Sequence, residues 1–272
     1  SSEAGKFVAV SAGDGLEATM AAHGSGAVIR SSKSEGLTIN VDIGGGTTKI
    51  AHCRAGKVEN VTAIDVGARL IVLNESRSIT RLEPTGKIHA DDVGVNAEIG
   101  LTLSEDGVNK IADRMALRIL EATGLSPLSD KTKNLLLLPP LPNVDKVDAL
   151  TFSGGVSEFL YQNEFGDFGD LGPQLARATR NKFDAIGIPI ENPVATIRAT
   201  VVGASQYTVQ LSGTTIYVEP QKALPLRNVP VIVPAFDFSG SEIDPSQIQD
   251  AIVIAMTRLD LVNNDSPISI GF

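Results

Sequence analysis

The residues of this chain whose types and spacing could do chemistry lie in one stretch, Leu37 to Ile50, reading Leu-Thr-Ile-Asn-Val-Asp-Ile-Gly-Gly-Gly-Thr-Thr-Lys-Ile. Ile39, Val41 and Ile43 alternate with Thr38, Asn40 and Asp42. That period of two predicts a strand with one apolar face and with Asp42 on the other face, at the strand's end. Gly44, Gly45 and Gly46 then admit backbone dihedrals closed to residues with a Cβ, so successive N–H groups can converge on one anion. Thr47 and Thr48 add hydroxyl donors at the rim. A carboxylate beside such a nest repels phosphate, so its physical use is to hold Mg²⁺, through water, against the phosphate oxygens. A Gly triplet between two β-branched runs is also what a plain hairpin turn looks like, and no Gly-Lys-Ser/Thr ending of the Walker type follows.

A second stretch, Ala149 to Glu158, runs from an apolar strand through Ser153-Gly154-Gly155 into a helix. Two glycines at such a turn remove the side chains that would block a flat base or a ribose, although the pair could equally be a structural turn. Phe165 to Gly172 is a Gly/Asp loop without the glutamate that closes a calcium loop of the EF-hand kind, and it is expected to be solvated. His23, His52 and His89 have no metal-ligand spacing. Cys53 follows the glycine loop on the expected second strand, where a buried structural thiol is the expectation.

The elements that must position these residues can be read from the flanking sequence. Phe7 to Val10 predicts a strand, and Asp14-Gly-Leu-Glu17 predicts a capping box opening a helix that runs toward Arg30 with Gly24 and Gly26 inside it. Those glycines suit close approach of another backbone or of a ligand, or else a helix break. Lys49 to His52 and Val58 to Val66 continue an antiparallel meander around an Ala55-Gly56-Lys57 turn. Val108, Ile111, Ala112, Met115 and Ile119 stripe a helix over 105–123 that Ser104 caps and Gly124 ends. Leu135 to Leu138 is a short buried run stopped by a proline-rich connector. Pro173 opens a helix to about Phe183, Gly187 to Ile190 is extended, and 195–206 is helical with a narrow Gly203-Ala204 surface. Thr214 to Val218 and Val229 to Val233 read as strands, 245–259 as a helix, and Pro267 to Phe272 as a last strand.

Composition narrows the function. Of 272 residues, 42% are hydrophobic, enough for a sizeable core. A net charge of −9, with no run of Lys or Arg, argues against a nucleic-acid partner, which would require a clustered basic face. One cysteine, no 18-residue apolar run and no basic-apolar leader point to a cytoplasmic protein with no membrane partner.

The order of the small-residue helix, the loop at Asp42 to Thr48, Ser153-Gly154-Gly155 and Gly203-Ala204 resembles that of the actin, heat-shock chaperone and sugar kinase ATPase superfamily. Within it, Asp42-Ile-Gly-Gly-Gly-Thr-Thr-Lys-Ile-Ala, Phe152-Ser-Gly-Gly-Val-Ser, Arg198-Ala-Thr-Val-Val-Gly-Ala, Gln210-Leu-Ser-Gly-Thr-Thr-Ile216 and Ala223-Leu-Pro-Leu-Arg-Asn-Val-Pro230 are similar to the ethanolamine ammonia-lyase reactivating factors. The resemblance implies an α/β fold, a ribonuclease-H-like lobe with a mixed sheet flanked by helices. That lobe is expected over 1–66 and 148–212, with an inserted subdomain over 67–147 and a C-terminal α/β segment over 213–272. It implies ATP and Mg²⁺ as cofactors, with Asp42 as metal-binding and catalytic carboxylate. Gly44, Gly45, Gly46, Thr47 and Thr48 would lie on the phosphates, and Ser153, Gly154 and Gly155 on the adenosine.

The implied activity is release of damaged cobalamin from ethanolamine ammonia-lyase, the implied partner, and the implied setting is the cytoplasm, in association with an ethanolamine-utilisation microcompartment. The superfamily's first phosphate loop has no counterpart here, so the chain reads as a fragment expected to bind ATP weakly or not at all when alone. The alternatives are an actin-like filament or cell-division scaffold, which shares the Asp-x-Gly-Gly-Gly-Thr pattern, and a sugar or acid kinase, which would need an acceptor-binding carboxylate near the γ-phosphate. The oligomeric state is not legible from the sequence.

Overall fold

The structure, a computed structural model, describes residues 13–33, 36–206, 231–232, 234, 244–257 and 268–270. The chain divides into two compact units, Ser1–Tyr207 and Thr208–Phe272.

The first unit is built on a sheet whose strands are β1 (Leu37–Ile43), β2 (Thr48–Arg54), β3 (Lys57–Ile64) and β6 (Val147–Ser153). Their spatial order is β3-β2-β1-β6. The first three form an antiparallel meander, and β6 joins parallel to β1. An antiparallel meander extended on its first strand by a parallel one is the mixed sheet expected of a ribonuclease-H-like lobe. Ala55 and Gly56 take positive φ, 49° and 76°, as a two-residue turn between right-twisted strands requires. The alternation in β1 gives two buried faces. Ile39, Val41 and Ile43 enter the main core, while Thr38 and Asn40 are also buried on the opposite face.

That opposite face is covered by helices. α1 spans Asp14–Gly24 and α2 spans Ala27–Ser31, so the single helix expected to reach Arg30 is broken. Gly26 sits between them at φ +83°, a left-handed conformation that ends one helix and starts the next. The expected capping box is absent as well: Gly13 is the N-cap, and Asp14 and Glu17 instead face Lys49 Nζ at 4.0 and 2.8 Å. α8 (Ala199–Gln206), shorter than the helix expected from 195, crosses α1 at glycine against glycine. A Cβ on Gly24 would lie 1.8 Å from Ala199 O, and one on Gly203 would lie 1.7 Å from Met20 O. The expected close backbone approach is therefore real, and it is between helices.

After a one-turn 3-10 helix at Ala68–Leu70, the chain adds a hairpin, β4 (Ile71–Leu73) with β5 (Ile79–Leu82), then α3 (Pro84–Asp92), α4 (Glu105–Ala122) and α5 (Asp130–Lys133). Ser104 Oγ accepts from Gly107 N at 3.1 Å, the cap expected for α4, and Gly124 follows at φ +78°. Arg118, 2% exposed, is paired with Asp92 and lies 3.4 Å from Thr132 Oγ1, which ties α3, α4 and α5 together. One core runs through this segment and the sheet alike, from Ile39 and Phe152 to Ile79, Ile111 and Met115. α6 (Gly155–Leu160) and α7 (Gly172–Asp184) complete the unit, with Phe152 and Phe183 in edge contact at 5.1 Å.

In the second unit the described residues form α9 (Pro245–Thr257) and a parallel pair, β7 (Val231–Ile232) with β8 (Ser269–Ile270). Among the described residues of α9 none is buried. The expected strands at Phe7 to Val10 and Thr214 to Val218 lie outside the described residues.

Candidate functional site

The glycine loop joins β1 to β2 as a hairpin, closed by Gly44 N donating to Thr47 O at 3.0 Å. None of Gly44, Gly45 and Gly46 takes a positive φ, so left-handed freedom is not what these glycines supply. Close packing is. The backbone after β3 presses on the loop: Ala68 N donates to Gly44 O at 3.1 Å and Arg69 N to Gly45 O at 2.6 Å. A Cβ on Gly67 would stand 2.4 Å from Gly45 O, and one on Gly45 would press on the Arg69 side chain at 3.3 Å. Among the described residues, the N–H groups of Gly45, Gly46 and Thr47 meet no protein acceptor. Lys49 Nζ donates to Thr47 Oγ1 at 2.6 Å while paired with Glu17, which fixes that hydroxyl at the loop.

Asp42 ends a polar rail between β1 and β6. Thr151 Oγ1 donates to Asn40 Oδ1 at 2.9 Å, Asn40 Nδ2 donates to Ser153 Oγ at 3.1 Å, and Ser153 Oγ donates to Asp42 Oδ1 at 2.7 Å. The parallel register creates the rail, since Asn40 is opposite Thr151 and Asp42 opposite Ser153. Burial pushes the Asp42 carboxyl above the ordinary carboxylate range, against the opposing effects of the Ser153 hydrogen bond and of Lys49. The carboxylate thus sits where water solvates its charge poorly.

Gly154 takes φ +83°, and a Cβ there would stand 2.4 Å from Ile43 O, so glycine is needed to bring the second loop against the end of β1. Gly154 N donates to Thr196 O at 3.2 Å. Just beyond, Glu158 accepts from Thr196 Oγ1, from Ile197 N at 3.1 Å and from Asn163 Nδ2 at 3.1 Å. Burial raises its carboxyl, and these hydrogen bonds together outweigh that and hold it below the usual range.

Two clefts flank the glycine loop. One, of about 380 Å³, is lined by Gly45, Gly46, Thr47, Asp65, Arg69, Arg81 and Glu83 among others. The other, of about 440 Å³, is lined by Gly44, Gly45, Arg69, Gly155, Val156, Glu158, Phe159 and Phe168 among others. The structure therefore brings Gly44 and Gly45 together with Gly155 across one cleft, and puts Gly46 and Thr47 on the other. Thr48 is buried and donates to Val66 O at 2.7 Å, which turns it into the sheet and away from the rim. Ser153 is buried in the rail, and Asp42 is on the wall of neither cleft. Arg69, Glu158 and Phe168 line the second cleft without having been picked out by sequence reasoning. Of the three, Arg69 carried a signal, because it lies two residues after Gly67, the glycine that follows the strand expected over Val58 to Val66.

Cys53 is buried, and burial pushes its thiol up to about 12. His52 is buried and Nε2 donates to Thr123 O at 2.9 Å. Among the described residues no cluster of three His, Cys, Asp or Glu could hold a metal, and no helix is long and apolar enough to cross a membrane.

The mixed sheet, its glycine-loop hairpin and the helices on its faces define the class, an α/β protein with a mixed sheet flanked by helices. The chain belongs to the ethanolamine utilisation protein EutA family, whose model matches residues 1–272. It is 38% identical over 264 residues to the ethanolamine ammonia-lyase reactivase EutA of Salmonella typhimurium, and 34% identical to that of Escherichia coli. Each match takes in 94% of this chain and 53% of the relative, so the chain spans about half the length of the curated relatives it matches. Among solved structures it is similar to the activator of 2-hydroxyisocaproyl-CoA dehydratase from Clostridium difficile with bound ADPNP. That match has a TM-score of 0.34 at 14% identity and covers 69% of this chain and 63% of the other. MreB 5 of Spiroplasma citri bound to AMPPNP matches with a TM-score of 0.33 at 17% identity, over 69% of this chain and 56% of the other.

Proposed function

We propose that this chain is the nucleotide-binding portion of a reactivating chaperone that uses ATP and Mg²⁺ to release damaged cobalamin from ethanolamine ammonia-lyase and so admit intact cofactor. The observation that carries the nucleotide reading is the glycine loop itself. Three backbone N–H groups without a protein acceptor, at Gly45, Gly46 and Thr47, border clefts, and the wall facing Gly44 and Gly45 is Gly155. Gly45 and Thr47 are half-buried and Gly46 is exposed, and a phosphate would take the place of water on these converging donors. The second cleft has the volume and the mixed apolar and polar lining of a nucleoside site.

The residues present also fit Mg²⁺ held between protein and phosphate. Asp42 is a carboxylate at the end of β1, next to the glycine loop, and with no three-residue metal cluster among the described residues the remaining ligands would be water and phosphate oxygens. When bound, ATP with Mg²⁺ supplies a γ-phosphoryl group whose presence or loss distinguishes two states of the protein. This chain's own part is positioning. Gly45, Gly46 and Thr47 would donate to phosphate oxygens, Lys49 keeps the Thr47 hydroxyl at the loop, and Ser153 holds the Asp42 carboxylate that would bind the metal through water. Gly154 and Gly155 leave room for the sugar, and Glu158, fixed by Thr196 and Ile197, presents its remaining lone pairs to ribose hydroxyls. Coupling to the lyase then requires a surface that binds that enzyme differently in the two states.

The test uses the full-length protein carrying this chain, with ethanolamine ammonia-lyase inactivated by cyanocobalamin. Activity should return with ATP and Mg²⁺ and not without them. Asp42→Asn keeps the Ser153 hydrogen bond and removes the charge, so ATP turnover and reactivation should both fall by tenfold or more, by a loss of about 1.4 kcal/mol or greater, in a protein that still folds. Reactivation at the wild-type rate by a folded Asp42→Asn protein would remove Asp42 from the mechanism.

A further inference from the structure

We infer that Arg69 is a phosphate-binding residue of the cleft, its guanidinium leaving Asp170 to meet the phosphates of a nucleotide seated on the Gly44 to Thr47 loop. The inference rests on the nucleotide reading above and adds to it a residue outside both glycine stretches. Three observations carry it, and the first is place. Arg69 N is bonded to Gly45 O at 2.6 Å, its side chain runs along Gly45, and it lines both clefts.

The second observation is charge. Among the described residues lining the larger cleft, Arg69 is the one cation against Glu158, Glu164 and Asp170. In the smaller cleft the other cation, Arg81, is taken up by Glu83 at 2.6 Å. A polyanion entering either cleft therefore finds one guanidinium to meet, and without it would face a surplus of carboxylates.

The third observation is the ease of exchange. Arg69 is 64% exposed and its ion pair with Asp170 is a single contact at 3.2 Å, a geometry that water screens strongly. Asp170 is 8% exposed and keeps a second bond, Gly172 N to Oδ1 at 2.8 Å, so it stays in place when the arginine turns away. Phosphate offers a guanidinium two parallel charge-assisted bonds where Asp170 offers one. The pair reads as a parked side chain beside the loop it serves.

The experiment is equilibrium binding of ATP and of adenosine to the full-length protein and its variants, with thermal unfolding to verify that each variant is folded. Wild type should bind both. Arg69→Gln should weaken ATP by about tenfold or more while adenosine affinity is unchanged, since the loss is confined to the phosphates. Arg69→Lys should recover part of the loss. Asp170→Asn, which removes both the competitor and a like charge, should tighten ATP several-fold. ATP binding by a folded Arg69→Gln protein at wild-type affinity would overturn the inference and leave the nucleotide reading standing. Equal loss of ATP and adenosine would overturn it in favour of a purely structural arginine. Failure of the wild type to bind either ligand would overturn the nucleotide reading, and this inference with it. If Arg69→Gln does not fold, Arg69→Lys and Asp170→Asn decide: unchanged ATP affinity in both overturns the inference.

Discussion

At the scale of single residues, burial decides which titratable groups matter for stability. His89 is fully buried in α3, and burial, followed by the cationic Arg118, pushes its imidazolium down to about 4. Asp92 opposes that shift, and Arg114 adds to it. Between 6.5 and about 4 the native state therefore holds this ring neutral while the unfolded chain protonates it. The stabilisation is present above 6.5 and is lost as pH falls through about 4, for a full loss of about 3 kcal/mol. Thermal midpoints of His89→Gln should accordingly fall less steeply than wild type across that window. Parallel curves would mean that His89 is not the group that charges. Asp92 and Glu121, although partly buried, are held below the ordinary carboxylate range by hydrogen bonds and by Arg118, and so destabilise the fold at still lower pH. Cys53, with its thiol pushed up to about 12, should stay unmodified by a thiol reagent in the folded protein and react on unfolding.

At the scale of elements, the crossing of α1 and α8 depends on two glycines that cannot be enlarged separately. A Cβ at either position meets backbone of the other helix below 2 Å, so the helices must part to admit it. Overpacking of this kind costs roughly 1–3 kcal/mol. Gly24→Ala and Gly203→Ala should each lower the thermal midpoint by several degrees, and the double variant should lose less than the sum, since one separation admits both methyl groups. Strict additivity would show that the two sites do not share a crossing. The same elements show what local sequence can and cannot reveal. The meander around Ala55 and Gly56, the Ser104 cap with its apolar stripe and the strand-to-helix turn at Gly154 are legible because their determinants lie within a few residues of one another. The break at Gly26 could be read as either a close approach or an end to the helix, and it is settled by packing: the left-handed turn sits where Val194 would meet a Cβ at 2.6 Å.

The candidate site divides in the same way. Asp42, the glycine loop and Gly155 follow from pattern, whereas the rail from Thr151 to Asp42 needs the parallel pairing of two strands 111 residues apart in sequence. Thr48 was misplaced because adjacent threonines at a strand entrance point to opposite faces, and only the register says which is inward. Arg69 and Asp170 are invisible as a pair until the fold brings together residues 101 positions apart.

At the scale of the whole molecule, the distribution of the core says what should fold by itself. One continuous cluster extends from Leu37 to Phe183, joining the sheet, the β4-β5 hairpin and α4, and a smaller cluster of Ala22, Ala27, Val28, Ala51 and Cys53 seals the opposite face of the sheet beneath α1. All of it belongs to the unit that ends at Tyr207. α8 is that unit's last described helix, and its contact with α1 is made at bare glycine backbone. A chain ending at Tyr207 keeps every buried contact of this core and should unfold cooperatively, with a midpoint close to that of the same unit in the longer chain. A chain ending at Pro193 lacks Val194, Thr196 and all of α8. It would leave Ser25, Gly154 and Glu158 without the hydrogen-bond partners that residues 194–197 now provide, and would uncover Gly24. Its midpoint should fall by roughly 5 °C or more, and its α1 amides should lose protection from hydrogen exchange before those of β1. Equal midpoints for the two truncations would show that α8 contributes nothing to the unit, and an expanded, dye-binding state for the chain ending at Tyr207 would show that the core described here is not self-sufficient.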